Sequence, residues 1–279
     1  MKKKSASWDA ANERLISFDK MLGHAPAERD YDANKLKVGV DLGTSSILTV
    51  VLDENDVPLA GLSQDAMVVR DGVVVEFSKA IQIVIKQRET LEGFLGTRLT
   101  HAAAAIPPGV SDGNQKAVQH VLQGAGYEVS AIVDESTAAA TFLGVSEGAV
   151  VDVGGGTTGI SVIRNGQPVF SADEPTGGHH MTLVLAGSLG IPYGEAEITK
   201  RSEEKQDFVF QIIRPVVEKM AAITAKYIVG YDVKDVYISG GASAFRDFEK
   251  SFGGVVGVQV HKPEKPWLVT PLGIAMYDR

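Results

Sequence analysis

At 279 residues, with 44% hydrophobic and 22% charged side chains, the chain is long enough for one large domain or two of medium size. It has no cysteine, which excludes disulfides, thiolate zinc sites, iron-sulfur clusters and cysteine nucleophiles together. A formal charge of -8, with no Lys/Arg block beyond Lys2 to Lys4, leaves no footprint for nucleic acid or anionic lipid; no run approaches a membrane span and no apolar secretory stretch follows the N-terminus, so a cytoplasmic protein with neither nucleic-acid nor membrane partner is expected.

In the polar stretch Met1 to Lys35, Trp8, Ala11, Leu15, Phe18 and Leu22 recur by threes and fours and predict a short amphipathic helix. Its apolar stripe either packs on the protein's own body or docks on a partner. Pro26 interrupts the pattern, so His24 to Asp30 reads as a linker. From Leu36 a β-meander is expected: a strand to Leu42, a second over Ile47 to Leu52, a turn at Asp53 to Asp56 and a third short strand to Leu62. A helix over Ser78 to Leu95, a strand over His101 to Ile106, a helix carrying Val118, Val121 and Leu122, a strand near Val129 to Val133 and a small-residue helix from Ser136 to Leu143 follow.

The same order then restarts, with strands over Ala149 to Val153, Ile160 to Arg164 and Pro168 to Ala172, the last two joined by the turn Asn165-Gly166. Aligning Asp41 with Asp152 superposes Val40 to Ser45 on Val151 to Thr157, with one extra glycine in the second copy. The chain therefore reads as a duplicated α/β protein: an N-terminal helix and linker at 1–35, one subdomain at 36–145 and a second at 146–279. A helix from Gly178 to Leu189, one long helix from Gly194 to near Gly230 kinked at Pro215, a strand over Val236 to Ser239, the pair Gly240-Gly241, a helix to Phe252, a strand from Val255 to His261 and a short helix after Pro271 complete the expectation.

Gly154 to Gly159 satisfies G-x-G-x-x-G, yet a dinucleotide loop must open a helix, and here Ile160 to Ile163 followed by Asn165-Gly166 is a strand and hairpin turn. No Walker A lysine accompanies it. A glycine-rich hairpin still suits phosphate, because glycines let backbone N–H groups approach an anion and the Thr157 or Thr158 hydroxyl can donate to it. Gly43, Thr44, Ser45 and Ser46 offer the same chemistry from the first copy. Alone, either is equally a tight turn; the duplication is what favours phosphate. Asp41 and Asp152 precede the two hairpins, and carboxylates beside phosphates call for a divalent cation such as Mg²⁺ held through water.

Asp41-Leu42-Gly43-Thr44, Asp134 to Ala140, Asp152 to Thr157, Gly240 to Ser243 after a strand, and Thr270 to Ala275 resemble, in order, the phosphate loops, connecting helices and adenosine loop of the actin, hexokinase and heat-shock-chaperone ATPases. The resemblance covers about Leu36 to Arg279. It implies an actin-like ATPase fold, two ribonuclease-H-like subdomains with ATP or ADP and Mg²⁺ in the cleft between them. Ala105 to Gly109, Val68 to Val74 and Ser171 to His180 resemble in particular a chaperone-like branch associated with ethanolamine utilization and bacterial microcompartments, which implies a protein client from that pathway or compartment.

By that resemblance Asp41 and Asp152 face the metal, Thr44, Ser45 and Thr157 supply phosphate-binding hydroxyls, and Glu135 orients the attacking water. Glu197, Lys200 and Arg201 reproduce an E-x-x-K-R spacing that lines the adenosine, with Gly240, Gly241 and Ala242 opposite; the same triplet also fits a solvated, salt-bridged helix face. The sequence departs from the chaperone pattern at Gly159 and His179, where acids are expected, and no lysine takes the place of the chaperones' catalytic one. His179 and His180 read as helix-start residues before metal ligands. Binding is thus better supported than turnover, leaving a weak Mg-dependent ATPase, a nucleotide sensor without hydrolysis, a small-molecule kinase or a filament-forming actin relative as alternatives. No peptide-binding extension is recognised, so a client surface is expected on the ATPase body or on the N-terminal helix, whose stripe resembles microcompartment-targeting tails.

Overall fold

The computed structural model describes residues 2–27, 30–70 and 73–278. Strands β1 (Lys37–Leu42), β2 (Ser46–Leu52), β3 (Pro58–Asp65), β6 (His101–Ile106) and β7 (Glu128–Asp134) form one sheet in the order β3-β2-β1-β6-β7. Strands β8 (Glu147–Val153), β9 (Thr158–Arg164), β10 (Gln167–Glu174), β11 (Asp235–Ser239) and β12 (Gln259–His261) form a second in the order β10-β9-β8-β11-β12. In each sheet the first three strands are an antiparallel meander and the last two run parallel to the first, so the two halves repeat one topology. Asn165 and Gly166, at φ 51° and 73°, make the left-handed turn that joins β9 to β10, as the Asn-Gly pair predicts.

Each sheet carries its own helices and core. Helices α2 (Phe77–Leu95) and α3 (Asp112–Gly124) bury Ile83, Val84, Leu91, Val121 and Leu122 against the first sheet, and α5 (Gly178–Leu189), α7 (Gln206–Ile228) and α8 (Phe248–Val256) bury Met181, Leu185, Ile213, Met220 and Phe252 against the second. A third core joins the halves, built from α4 (Glu135–Leu143) and α9 (Val269–Ala275) with residues from both sheets. There the helices touch closely: a Cβ on Gly273 would lie 2.1 Å from the Ala138 carbonyl oxygen, and one on Gly39 of β1 would lie 2.6 Å from the Ala275 nitrogen. Only residues without a side chain permit these approaches.

Helix α1 (Lys2–Asp19) belongs to this third core. Ala11, Leu15 and Phe18 are buried in it, and the Phe18 ring lies over Gly61 of β3 in the first sheet. At the other end the Trp8 ring sits 5.9 Å from Tyr237 and 5.7 Å from His261 of the second sheet. Asp19 pairs with Lys265 at 2.7 Å, and Asn12 accepts the Glu264 N–H at 3.0 Å. The stripe therefore covers the protein's own body and spans both sheets, and the alternative of a free docking tail is overturned because its anchors are inside.

Three other expectations fail locally. The long helix from Gly194 is not one kinked rod: it breaks into α6 (Tyr193–Arg201), a 3₁₀ turn (Glu203–Lys205) and α7, with Ser202 in extended backbone. Ser202 followed by Glu203 and Glu204 is itself a helix-start signal that the apolar periodicity masked. Val255 lies in the last turn of α8 instead of opening β12. The small hairpin β4 (Val69–Arg70) and β5 (Val73–Val74) was not expected as structure. No described helix is long and apolar enough to cross a membrane.

Candidate functional site

Between the sheets lies a cleft of about 450 Å³. The two glycine hairpins form its floor. In the second, the Gly154 N–H donates to the Thr157 carbonyl at 2.9 Å, closing the turn between β8 and β9. The loop is braced from behind by the start of α5, whose Gly178 and His179 N–H groups donate to the Gly154 and Gly155 carbonyls at 2.9 and 2.7 Å. Gly177 must be glycine there, since a Cβ would meet Gly154 and Gly155 carbonyl oxygens within 2.9 Å. The two hairpins also touch each other, for a Cβ on Gly155 would lie 2.4 Å from the Ser45 hydroxyl oxygen.

The cleft brings together nearly every residue singled out from the sequence. Asp41, Gly43, Thr44, Ser45 and Ser46 line it from the first sheet, Asp152, Gly154, Gly155, Gly156 and Thr157 from the second, and Glu135 from the start of α4. Glu197, Lys200 and Arg201 line it from α6, with Gly240, Gly241 and Ala242 from the turn after β11. Thr158 is a correction. It is buried at the start of β9, where alternation turns it away from Thr157, and its hydroxyl donates to the Thr176 carbonyl at 2.6 Å. It offers no hydroxyl to a ligand.

Asp152 is the most enclosed acid of the cleft. The Ser239 hydroxyl donates to its Oδ2 at 3.0 Å, the Thr270 hydroxyl of α9 donates to the same oxygen, and Gly240, at φ 88°, brings its bare Cα against Oδ1. Around it stand Asp41, Asp134, Glu135 and Asp173. Burial, with Asp152 beside it, pushes Asp41 up to about 7. Burial and then the charges of Asp152 and Asp41 hold Glu135 well above the usual carboxylate range. Asp152 is also raised, by burial that its two hydroxyl donors only partly offset. Asp134, which caps α4 by accepting the Thr137 N–H at 2.9 Å, is raised by burial. These acids repel one another and would be relieved by a cation. Among the described residues no three His, Asp or Glu side chains are gathered as a direct metal-binding cluster.

Beside the hairpins, Glu197, Lys200 and Arg201 lie on one face of α6 and do both things their spacing permits: they line the cleft and they pair. Glu197 binds Lys200 at 2.7 Å and Arg201 at 2.8 Å. Lys200 also donates to the Gly178 carbonyl at 2.9 Å and to Thr182 at 2.7 Å. Burial and the Glu197 charge act oppositely on Lys200, and burial wins, leaving it below its ordinary value. Arg201 reaches across the mouth to Asp65 of β3 at 2.9 Å. Sequence reading gives no site role to Asp65, which lies in no motif, nor to Ser239 and Thr270, whose hydroxyls act on Asp152 from neighbouring elements. His179 stands at the start of α5 with Nδ1 3.0 Å from the Tyr193 hydroxyl, consistent with a helix-start residue.

The paired sheets, facing hairpins and crossed helices α4 and α9 define a protein of the actin-like ATPase fold. The family model of the cell division protein FtsA matches residues 149–273 and that of Hsp70 protein matches 75–185. The chain belongs to the family of the ethanolamine utilization protein EutJ. It is 41% identical to that protein of Salmonella typhimurium over 267 residues, 95% of this chain and 93% of the relative. It is similar to the crystal structure of EutJ from Carboxydothermus hydrogenoformans, with TM-score 0.90 and 43% identity over 96% of this chain and 98% of that one. MreB5 of Spiroplasma citri bound to AMPPNP superposes with TM-score 0.66 over 87% of this chain and 96% of its own, and at 16% identity shares the fold alone.

Proposed function

We propose that the cleft binds ATP or ADP with Mg²⁺, and that the protein is a nucleotide-dependent, chaperone-like component of ethanolamine utilization with a protein client from that pathway or its microcompartment. The observation that carries this reading is the meeting of two duplicated glycine hairpins over mutually repelling carboxylates: N–H groups and hydroxyls for phosphate, and acids that need a cation. Asp41 and Asp152 would hold the cation through water, and the cation supplies neutralisation of phosphate charge. Gly43 to Ser46 and Gly154 to Thr157 face the phosphates, and Glu197, Lys200 and Arg201 with Gly240 to Ala242 flank the nucleoside. Glu135, at the floor, is placed to orient a water.

A sensor without turnover is favoured by one feature. Gly159 packs against the first half, where a Cβ would be 3.1 Å from the Ser136 hydroxyl oxygen and 3.3 Å from Pro108 Cδ, so the acid that the chaperone pattern carries would need these side chains to shift by a few tenths of an ångström. Titration calorimetry with ATP in Mg²⁺ and in EDTA tests the binding reading. Asp152→Ala should weaken Mg-ATP by about tenfold and metal-free ATP much less, because the carboxylate acts through the cation; no binding by the unaltered protein sinks the proposal. Phosphate release then separates the two readings: if Glu135 orients water, Glu135→Gln lowers turnover and leaves affinity nearly intact.

A further inference from the structure

Lys200 lines the cleft, yet its side chain is only 12% exposed and three oxygens crowd its ammonium. It donates to the Gly178 carbonyl at 2.9 Å and to the Thr182 hydroxyl at 2.7 Å, and it pairs with Glu197 Oε2 at 2.7 Å. An ammonium has three protons to give and accepts nothing. A nucleoside hydroxyl could therefore draw on Lys200 only by displacing one of these partners. The partners are themselves joined, because the Thr182 hydroxyl, which accepts from Lys200, donates to the same Glu197 oxygen. Thr182 is fully buried in α5 and does not line the cleft.

The network ends on the first turn of α5, the segment that backs the second hairpin. The Gly178 carbonyl and the His179 N–H belong to one planar peptide unit, so holding the oxygen fixes the direction of the N–H, and a bond to the oxygen strengthens donation by the N–H. That N–H goes to the Gly155 carbonyl, and the Gly178 N–H goes to the Gly154 carbonyl. Two glycines in succession, Gly177 and Gly178, leave this turn with no side chain of its own to hold it. The same planarity acts once more in the hairpin. A trans peptide sets its N–H opposite its carbonyl, so two carbonyls bound to α5 turn the Gly155 and Gly156 N–H groups away from α5, and both residues line the cleft. Resting on the nucleotide reading above, we infer that Lys200 is a positioning residue for the second hairpin and not a nucleoside ligand: through the Gly178–His179 peptide it holds the hairpin's N–H groups in the orientation that meets phosphate.

The test uses the full chain with Lys200→Met, Thr182→Val and the double variant. Titration calorimetry in Mg²⁺ compares ATP with 2′,3′-dideoxy-ATP, which lacks the sugar hydroxyls. Lys200→Met should weaken both nucleotides by the same factor, about fivefold. Thr182→Val, which cannot reach the ligand, should weaken ATP about threefold. The double variant should be no weaker than the worse single one, since the side chains act as a unit. Without nucleotide, hydrogen exchange should quicken in both single variants for peptides containing Gly155 and Gly156 and those containing Gly178 and His179, while α2 in the other half keeps the parent's rate. A Lys200→Met loss that vanishes for the dideoxy nucleotide, a Thr182→Val protein that binds ATP like the parent, additive losses, or unchanged exchange at these peptides overturns the inference. ATP binding by the parent that neither variant weakens removes this inference alone; a parent that binds no ATP removes the nucleotide reading and the inference with it.

Discussion

Phe18 offers the sharpest measure of what the N-terminal helix does. Its ring is fully buried, lying over Gly61 and packed in the core that also contains α4 and α9. Removing a buried phenylalanine side chain costs about 3–5 kcal/mol, the transfer energy of the ring plus the cavity it leaves. For a chain of this size each kcal/mol moves the melting temperature by roughly 2–4 °C, so Phe18→Ala should melt about 10 °C below the unaltered protein. Ile16, on the same helix but 37% exposed, is the control: Ile16→Ala should change stability by about 0.5 kcal/mol or less. Differential scanning calorimetry reads both. Melting of Phe18→Ala within a degree or so of the parent, or an unchanged melting temperature for a truncation beginning at Lys35, would refute the assignment of α1 to the core and return it to the role of a docking tail.

Gly155→Ala puts a Cβ into the Ser45 hydroxyl, so the hairpins must part by a few tenths of an ångström or more; an unchanged fold by circular dichroism with an altered ATP affinity is expected, and unaltered affinity counts against the touching loops. Gly273→Ala drives a Cβ into the Ala138 backbone and should cost about 1–3 kcal/mol in thermal unfolding, with no relief from substitutions of the Ala138 side chain. Asp41 and Asp173 are both raised from 3.8 to about 7, so the fold keeps protons that the unfolded chain loses. Their contribution to stability is fully present below 3.8 and is lost as pH rises through 7. Melting temperatures of the ligand-free protein between about pH 5 and pH 8 should carry this downward slope, and Asp173→Asn should remove its share; an identical slope in that variant argues against the shift at Asp173.

The duplicated hairpins were legible because their chemistry is local: a strand, an acid and two or three glycines or hydroxyls in sequence, twice. The break at Ser202 was hidden because apolar residues continue at helical spacing on both sides, and a Ser-Glu-Glu start signal is weaker than that periodicity. Thr158 was misjudged for a related reason. Adjacent residues on a strand face opposite ways, so of Thr157 and Thr158 only one reaches the ligand, and which one depends on where the turn ends. The roles of Ser239 and Thr270 were beyond reach for a different cause: they meet Asp152 through the pairing of β8 with β11 and the placement of α9, which no local motif records. Asp65 likewise acquires meaning only when α6 is folded over the cleft mouth.

The contacts around the cleft have a common mechanical consequence. Gly155 touches Ser45, and Arg201 binds Asp65, so the cleft is bridged from one half to the other at two points. The Arg201–Asp65 pair is 46% exposed on one side and 76% on the other and contributes at most about 1 kcal/mol, which makes it a contact that opens readily. Behind the cleft the halves are joined by α4 against α9 at a backbone-to-backbone approach, and α1 lies across both sheets with Trp8 on one and Phe18 on the other. Parting the halves to admit a ligand must therefore turn about the α4–α9 crossing and draw on the packing of α1. A helix anchored at both ends resists that turn, whereas one seated on a single half would follow it. Phe18→Ala frees one end without touching any residue that lines the cleft, so beyond its lower melting temperature it should release bound nucleotide faster than the parent in stopped-flow chase experiments. An unchanged release rate in a folded Phe18→Ala protein would confine α1 to stability and remove it from the motion of the cleft.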